Sequence, residues 1–423
     1  MTEDFLHYIW QFKRFNVKNL LSTEGFKISI SKTGERNTDA GPDFYNALIN
    51  IGDTKWAGNV EIHINASDWL LHNHQLDKAY DNVILHVVYN NDKPIYRNNG
   101  EQIPTLVING LYDEDIYKKY LSFLSNKLWI PCLNLFKQAD KFIINTWLSR
   151  LFAERAERKA NQIIQTLNIN QNNIEEAFYY QLARNFGFDV NAVPFEMLAK
   201  SLPLLILAKH RHDLFQIEAL LFGQAGFLNK TFVDEYPNTL KKEYNFLKKK
   251  YSLTPIDNSL WKFLRLRPSN FPTIRIAQFA ELIHKSTGLL SKIIESTTTE
   301  AIFNHFEFNC SEYWKNHYTF DKSTINKEKV FGETAKSLIL INTIVPFLFV
   351  YGILKNEEIY KEKAIVFMEN TRPEQNTIIK KWIETGIEVN NAAQTQALIE
   401  LKKNYCNSFK CLQCSIGNQL LKN

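Results

Sequence analysis

The spacing of apolar residues changes once along the chain, near residue 125, and this change limits the folds open to it. Before that point, short runs rich in β-branched and aromatic residues are separated by Gly, Asn, Asp and Pro, as in strands joined by tight turns. After it, apolar residues recur at helical spacing. The pattern predicts an α+β or α/β sheet domain at residues 1–125, followed by a large all-α region at 126–423.

The same spacing predicts the individual elements. In the first part we expect a helix at Glu3–Phe15 and strands at Phe26–Ser31, Phe44–Ile51, Trp56–Ile64, Asn82–Tyr89 and Thr105–Ile108. In the second part we expect helices at Lys141–Leu167, Ile174–Phe186, Phe195–Leu202, Leu204–Phe222, Thr239–Tyr251, Thr273–Lys285 and Glu333–Leu354, with a polar linker at Asn168–Asn173.

Composition narrows the class of protein further. The net charge of +5, from 50 basic and 45 acidic residues, is too mild to indicate a partner by itself. The acidic start of the chain lacks the pattern of a signal peptide. The uncharged stretch Leu338–Leu354 contains Pro346 and is shorter than the roughly 20 residues that span a bilayer, so we expect a buried, kinked core helix. The expectation is a cytoplasmic protein without a membrane partner, and its oligomeric state stays open.

Two acidic residues and a histidine flank a predicted hairpin in the sheet domain. Asp43 follows Pro42 at the start of one strand, and Glu61 and His63 share a face of the return strand. A three-residue loop would place Asp43 opposite His63 and bring Glu61 within about 5–8 Å, whereas a two-residue loop would spoil the shared face. Carboxylates that close need a proton or cation between them, and Mg²⁺ or Mn²⁺ prefers such oxygen ligands. We therefore predict a catalytic metal site at these three residues.

This arrangement resembles the PD-(D/E)XK nuclease superfamily, whose pattern is a Pro-Asp, a hairpin and then Asp/Glu-x-Lys. The resemblance covers roughly the first 110 residues and implies a restriction-endonuclease-like sheet domain with metal-dependent nuclease activity. Here Pro42-Asp43 matches the first part and Glu61-Ile62-His63 the second, except that His63 takes the place of the lysine. The substitution leaves open whether the site is active.

Further imidazoles follow the hairpin. His72 and His74 are two apart in a predicted loop near Asp77, and all three are candidate metal ligands. With His63 and the strand residue His86 they could form an imidazole-rich metal site or surround the first site as phosphate ligands. A strand histidine such as His86 is more often a hydrogen-bonded core residue.

Three cysteines lie within nine residues near the C-terminus: Cys406, Cys411 and Cys414. A zinc site or an iron–sulfur cluster needs a fourth ligand, for which Cys132 is the leading candidate and Cys310 the alternative. Some nucleases of the superfamily named above hold an iron–sulfur cluster in a comparable way, although their cysteine spacing differs. Free buried thiols and redox activity are the other interpretations of these cysteines.

Basic residues with interspersed aromatics form two segments of the helical region. Lys248 and Lys249 belong to a lysine-rich helix, and Arg267 and Arg275 flank a loop that contains an aromatic residue. Such groups bind phosphates and stack bases in nucleic-acid-binding proteins, so these four are candidate nucleic-acid contacts. A solvated charged face, with the aromatics turned into the core, is the alternative.

Over nearly its whole length the chain also resembles the bacterial DUF2851 family, for which no activity is established. The matching stretches are NTDAGPDF (37–44), GNVEIHINASDW (58–69), AYDNVILHVV (79–88), RLRPSNFPTIRIA (265–277) and CLQCSIG (411–417). This second resemblance implies a cytoplasmic bacterial protein but no reaction. Three functional hypotheses remain: a metal-dependent nuclease, a catalytically inactive nucleic-acid-binding or scaffold protein, and a His-rich metallohydrolase.

Overall fold

The computed structural model describes residues 1–37, 39–169 and 173–422 of the 423-residue chain. These residues form two compact units. The sheet unit comprises Met1–Trp147 and Lys402–Asn423, and the helical unit comprises Leu148–Leu401. The division at residue 125 that the spacing pattern indicates stays a prediction.

A mixed sheet dominates the sheet unit, which confirms the predicted class at that level. Its strands are β1 (Leu20–Leu21), β2 (Lys27–Lys32), β3 (Glu35–Arg36), β4 (Phe44–Ile51), β5 (Thr54–Asn65), β6 (Val83–Asn90) and β7 (Thr105–Val107). They lie side by side in the order β1-β2-β4-β5-β6-β7, with β3 also paired to β4. The pairs from β1 to β5 are antiparallel, whereas β5–β6 and β6–β7 are parallel. A small hairpin in the helical unit pairs β8 (His317–Thr319) with β9 (Lys322–Ser323).

Helices make up most of the rest of the described chain. In order they are α1 (Glu3–Gln11), α2 (Asp68–Leu71), α3 (Glu114–Ser125), α4 (Lys141–Ile169), α5 (Ile174–Phe186), α6 (Ala192–Ser201), α7 (Leu204–His210), α8 (Leu214–Gln224), α9 (Glu235–Tyr251), α10 (Pro272–Lys285), α11 (Leu289–Glu295), α12 (Thr299–Asn304), α13 (Glu312–Lys315), α14 (Glu333–Ile339), α15 (Val345–Lys355), α16 (Ile359–Glu369), α17 (Thr377–Glu384), α18 (Ala392–Glu400) and α19 (Ser415–Lys422). The predicted large helical region is confirmed.

Helix α1 packs against β5, because its apolar residues recur at helical spacing. Phe5, Ile9 and Trp10 are fully buried on that face. The Trp10 indole N–H also donates to the carbonyl of Thr33 at 3.0 Å, so the polar tip of this ring is paired inside the core. Helix α1 is therefore held against the strand that carries the candidate site.

One predicted helix of the helical unit is divided in two. The apolar spacing from Leu204 to Phe222 is continuous, but α7 ends at His210 and α8 begins at Leu214. The carboxylate of Asp213 accepts hydrogen bonds from the N–H groups of Phe215 and Gln216, which caps a new helix start. In the predicted polar linker at Asn168–Asn173, residues 170–172 lie outside the described residues.

The uncharged stretch Leu338–Leu354 lies within a longer apolar run, Glu333–Lys355. This run is apolar and long enough for a membrane span by length and composition, and 67% of its most apolar window is buried inside the protein, as in a core helix. A π-helical turn at Leu340–Ile344 separates α14 from α15. A buried and irregular core helix, as expected from Pro346, fits these features.

Candidate metal centre

The hairpin of β4 and β5 has a different register from the predicted one. Ile51 pairs with Thr54, so the turn has the two residues Gly52 and Asp53, and the predicted three-residue loop is wrong. The reason for the shorter turn is local. Gly52, at φ 59°, adopts the left-handed conformation that a tight two-residue hairpin turn requires. With an uninterrupted ladder, this turn would have moved Asp43 to the wrong face.

A β-bulge restores the shared face. The pairing shifts between Phe44–Val60 and Ala47–Gly58, and Asn46 within that interval has φ 56°. Asparagine tolerates this left-handed conformation better than most residues do. The extra residue in β4 returns Asp43 to the face of Glu61, so that these two residues meet and the predicted pairing of Asp43 with His63 is wrong.

Reciprocal hydrogen bonds hold the two carboxylates in place. The N–H of Asp43 donates to Glu61 Oε2 at 3.0 Å, and the N–H of Ile62 donates to Asp43 Oδ2 at 2.9 Å. Each carboxylate is thus tied to the backbone of the opposite strand, and Glu61 is only 4% exposed. Burial, followed by the charge of Asp43, raises the pKa of Glu61 well above its ordinary value. Without a cation, a proton is therefore favoured on Glu61 at neutral pH.

Histidines surround the free oxygen of Glu61. The Oε1 atom lies 3.5 Å from His63 Nε2 and 3.3 Å from His74 Nε2. Both of these Nε2 atoms are buried and have no hydrogen-bond partner among the described residues. His72 completes the group, since ligand atoms of His63, His72 and His74 all lie within 4.8 Å of one another.

These separations match the edge of a metal coordination sphere. Zinc bonds to nitrogen and oxygen of about 2.0–2.1 Å place neighbouring tetrahedral ligands about 3.4 Å apart. A hydrogen bond between nitrogen and oxygen would have a mode near 2.9–3.0 Å and a favourable angle. Unpartnered nitrogens facing a buried carboxylate oxygen are the arrangement that a cation would complete, so the residues present fit a divalent metal.

The outer nitrogen of His63 is paired with another imidazole. His63 Nδ1 and His86 Nε2 are 2.9 Å apart. Burial, and then the charge of His86, lowers the pKa of His63 to about 2, and burial lowers the pKa of His86 to about 3. Both rings are neutral at physiological pH, so His63 offers a lone pair and does not supply the positive charge of the lysine it replaces.

Helix α1 contributes two residues that sequence reasoning missed. Ligand atoms of Glu3, His7 and Asp43 lie within 4.8 Å of one another, with His7 Nε2 3.1 Å from Asp43 Oδ2. Arg36 lies 3.2 Å from His7 Nδ1, and because arginine only donates, the proton of a neutral His7 belongs on Nε2, toward Asp43. The available signal was the i, i+4 spacing of Glu3 and His7 on one helix face.

Asp77 has a structural role instead. It is exposed at the start of a 3₁₀-helix, Lys78–Tyr80, and its carboxylate accepts the N–H of Ala79 at 2.9 Å. Burial lowers the pKa of His74, and the negative charge of Asp77 partly counteracts that effect. Asp77 is not one of the grouped ligands described above.

The predicted cysteine ligands come from one unit. Cys132, Cys406, Cys411 and Cys414 belong to the sheet unit, and the charges of the other three thiols raise the pKa of Cys406 after burial does. Cys310 belongs to the helical unit, where its thiol donates to the carbonyl of Lys329 at 3.6 Å.

The predicted nucleic-acid contacts differ in exposure. Arg275 is buried, donates to Gln278 and Asn270, and places its guanidinium over the rings of Phe188 and Phe331. It is a core residue rather than a surface phosphate contact, because its two terminal nitrogens donate to internal partners.

The other three candidates reach solvent. Arg267 and Lys249 are exposed, and Lys248 is half-buried on α9. These residues keep their place as candidate phosphate contacts of the helical unit.

A mixed sheet with a buried cluster of carboxylates and imidazoles defines a candidate metalloprotein. The chain belongs to the family described as "Protein of unknown function (DUF2851)", whose model matches residues 3–377. No curated protein and no solved structure matches the chain significantly. The match ends before Cys406, Cys411 and Cys414, so the C-terminal stretch CLQCSIG lies outside it.

Proposed function

We propose that the protein is a metal-dependent phosphodiesterase that cleaves nucleic acid at the centre formed by Asp43 and Glu61. The observation that carries this proposal is the pair of carboxylates clamped side by side, with unpartnered imidazole nitrogens of His63 and His74 directed at the free oxygen of Glu61. A site built only for packing would not leave buried polar atoms facing one another without hydrogen bonds.

The order of the residues supports the nuclease class. A Pro-Asp, a hairpin and a Glu-x-His follow one another as in the PD-(D/E)XK pattern, and the two acids are in contact through the backbone. The proposal also accounts for the β-bulge, because the ladder reaches this contact only through the extra residue at Asn46.

Each residue has a distinct task in this proposal. Asp43 and Glu61 would hold the ion, with His63 and His74 as nitrogen ligands beside Glu61. A divalent ion there would supply the Lewis acidity that activates water and neutralises a phosphoryl oxygen. His7 holds Asp43 from α1. His86 would accept a hydrogen bond from the outer nitrogen of His63, which leaves the inner nitrogen of His63 free for the ion.

The neutral state of His63 affects the choice of metal. Imidazole ligands are more typical of Zn²⁺ and other transition metals than of Mg²⁺, whereas carboxylates also suit Mn²⁺. We therefore expect activity with Mn²⁺ to exceed activity with Mg²⁺, because the mixed nitrogen and oxygen donors suit Mg²⁺ poorly.

The test uses the full chain with single- and double-stranded DNA and RNA, in Mn²⁺, Mg²⁺ or EDTA. Asp43→Asn and Glu61→Gln keep the side-chain shapes and remove the charges. Each should reduce cleavage by at least about 100-fold, since metal stabilisation of a transition state is worth several kcal/mol. Asp53→Asn is the matched control, because it removes the same charge from the turn of the same hairpin.

The outcomes separate the proposed function from its alternatives. Cleavage that is equal in Asp43→Asn, Glu61→Gln and the unsubstituted chain would refute the proposed site. Tight, salt-sensitive binding of nucleic acid without cleavage in any metal would identify the binding or scaffold protein instead.

A second candidate function rests on the nitrogen-rich group His63, His72 and His74. Three imidazoles with one open position are typical of zinc hydrolases. Zinc that survives dialysis at one ion per chain, is lost in His74→Ala and accompanies no nucleic-acid binding would favour this metallohydrolase.

A further inference from the structure

A polar cavity of about 370 Å³ lies within the helical unit. Residues of α4, α5 and α6 line it, together with Asn342 from the π-helical turn Leu340–Ile344. Among the described residues that line the cavity, Ile163 alone is apolar. Ligand sites in proteins typically measure about 300–1,000 Å³ and are mostly apolar. This cavity therefore has the size of a small-molecule site, but its lining suits a hydrophilic ligand.

Lys159 of α4 brings a positive charge to the wall of this cavity. Its ammonium group donates to Asn342 Oδ1 at 2.6 Å, and this amide oxygen carries no charge. In the described part of the helical unit, no carboxylate lies within the 4.0 Å of an ion pair with Lys159. A lysine removed from water is normally paired with an acid. Because an ammonium group has three N–H donors, Lys159 can still donate to a ligand.

The π-helical turn fixes the position of Asn342. The side-chain nitrogen of Asn342 donates to the carbonyl of Leu338 at 3.0 Å, which leaves its Oδ1 atom for Lys159. The backbone carbonyl of Asn342 accepts hydrogen bonds from the amides of Gln181 at 3.2 Å and Asn185 at 3.0 Å. Such π-helical turns occur frequently at functional sites. Internal hydrogen bonds therefore hold this wall of the cavity in place before any ligand binds.

The charged groups around Lys159 leave one positive charge in excess. Arg155 and Arg158 share the carboxylate of Glu400, at 3.3 and 2.6 Å from its Oε2 atom. Glu374 is the other acid whose charge acts on Lys159, so three cations face two carboxylates. Burial lowers the pKa of Lys159 and the two arginines lower it further, whereas the two carboxylates act in the opposite direction. An anion bound beside Lys159 would therefore stabilise its ammonium form.

Arg184 of α5 is a second cation in the lining of the cavity. Its Nη1 atom donates to Glu196 Oε2, while Glu196 Oε1 accepts a hydrogen bond from Lys200 Nζ at 2.6 Å. Two cations thus share one carboxylate, and this group also has one positive charge in excess. The planar guanidinium of Arg184 has further N–H donors, in a geometry that suits a pair of phosphate or carboxylate oxygens.

The balance of charges favours a dianion as the ligand. One excess positive charge lies in the group around Lys159 and one in the group around Arg184. A phosphate monoester carries a charge of about −1.5 to −2 at pH 7, whereas a monocarboxylate would neutralise only one of the two excess charges. The polar side chains of Gln162 and Thr166 also line the cavity and can hydrogen-bond to hydroxyl groups of the esterified part.

We propose that this cavity binds a small phosphate monoester, whose phosphate oxygens accept hydrogen bonds from Lys159 and Arg184. Binding of the dianion compensates the two excess positive charges of the cavity, and no covalent bond is made or broken. The residues of this site belong to the helical unit, whereas those of the candidate metal centre belong to the sheet unit. The site therefore does not rest on the proposed function, and either proposal can fail without the other.

The experiment is calorimetric titration of the full chain with adenosine monophosphate, inorganic phosphate and succinate, in EDTA so that no metal ion at the candidate metal centre binds phosphate. We expect one adenosine monophosphate per chain, bound more tightly than either of the other two anions. Lys159→Met and Arg184→Gln should each weaken this binding at least about 10-fold, because each removes a charge-assisted hydrogen bond. Lys285→Gln is the matched control, since it removes a lysine charge from α10 that is paired with Glu281 outside the cavity.

A second measurement needs no substitution and so decides the question even if a variant fails to fold. Mass spectrometry after reductive methylation of the unsubstituted chain reports the reaction of each lysine, and saturating adenosine monophosphate should slow the reaction of Lys159 severalfold but not that of Lys285.

Four results would overturn the proposal. The first is the absence of any phosphate binding tighter than about 1 mM. The second is equal affinity in Lys159→Met, Arg184→Gln and the unsubstituted chain, which would place the phosphate elsewhere, for example on exposed lysines. The third is tighter binding of succinate than of adenosine monophosphate, which would identify a dicarboxylate site. The fourth is methylation of Lys159 at the same rate with and without saturating ligand.

Discussion

The β-bulge at Asn46 should invert the usual ranking of residues in a strand. Asn46 is exposed, so its substitution removes little packing, and its φ of 56° lies in the left-handed region. In an ordinary strand position valine would be favoured and glycine disfavoured. At this position the left-handed conformation reverses the order: Asn46→Gly should be near neutral, and Asn46→Val should cost about 1–2 kcal/mol of unfolding free energy.

The same substitution should also affect the candidate metal centre. If valine pulls residue 46 into extended conformation, the ladder continues without a bulge from the turn, and Phe44 rather than Asp43 comes opposite Glu61. Asp43 would then lie on the other face of the sheet. We therefore expect Asn46→Val to weaken Mn²⁺ binding more than Asn46→Gly does.

Urea unfolding and titration with Mn²⁺ of both variants, side by side with the unsubstituted chain, measure these effects. The Asn46→Gly variant is the matched control, because it loses the same side chain and keeps the left-handed conformation accessible. A valine variant as stable as the glycine variant, with the same affinity for Mn²⁺, would refute the role of the bulge.

Three further results are expected. Burial raises the pKa of Glu218 from 4.5 to about 7. The protonated side chain therefore contributes its full stability below pH 4.5, and about 3 kcal/mol of unfolding free energy is lost as the pH rises through 7. Urea unfolding of Glu218→Gln should show no such decline. Gly417→Ala should cost about 1–3 kcal/mol in thermal or urea unfolding, whereas Gly332→Ala, with open space around its Cβ, should cost little. His86→Leu should lower metal affinity about 10–100-fold by calorimetry. His86→Asn, whose amide can still hydrogen-bond to His63 Nδ1, should lower it less.

Local elements were predictable where spacing and end signals agree. The strand Phe44–Ile51 and the helix Ile174–Phe186 were predicted with the bounds that the structure has. The division between α7 and α8 was not predicted, because the apolar spacing continues across it and only the cap at Asp213 marks the new start. The hydrogen bonds of Asp213 therefore set the start of α8, although the apolar spacing alone indicates one continuous helix.

The candidate metal centre was predictable in part for a related reason. The hairpin itself was predictable, but Asp43 meets Glu61 only through a bulge that the sequence marks by nothing except Asn46. The contribution of Glu3 and His7 depends on the packing of α1 against β5, and no local pattern places a helix over a strand. The i, i+4 spacing put Glu3 and His7 on one helix face, but only tertiary contacts bring that face to Asp43.

The protonation of Glu61 connects the structure of this centre to its chemistry. Burial and Asp43 both disfavour its charged form, while the Nε2 atoms of His63 and His74 lie 3.5 and 3.3 Å from its free oxygen. A proton on Glu61 or a metal ion bound between these atoms would compensate this arrangement. Because one excludes the other, metal binding at this centre should release a proton, and affinity for Mn²⁺ should rise with pH. An affinity that stays constant between pH 6 and 8 would mean that Glu61 is already ionised and that its neighbours serve another purpose.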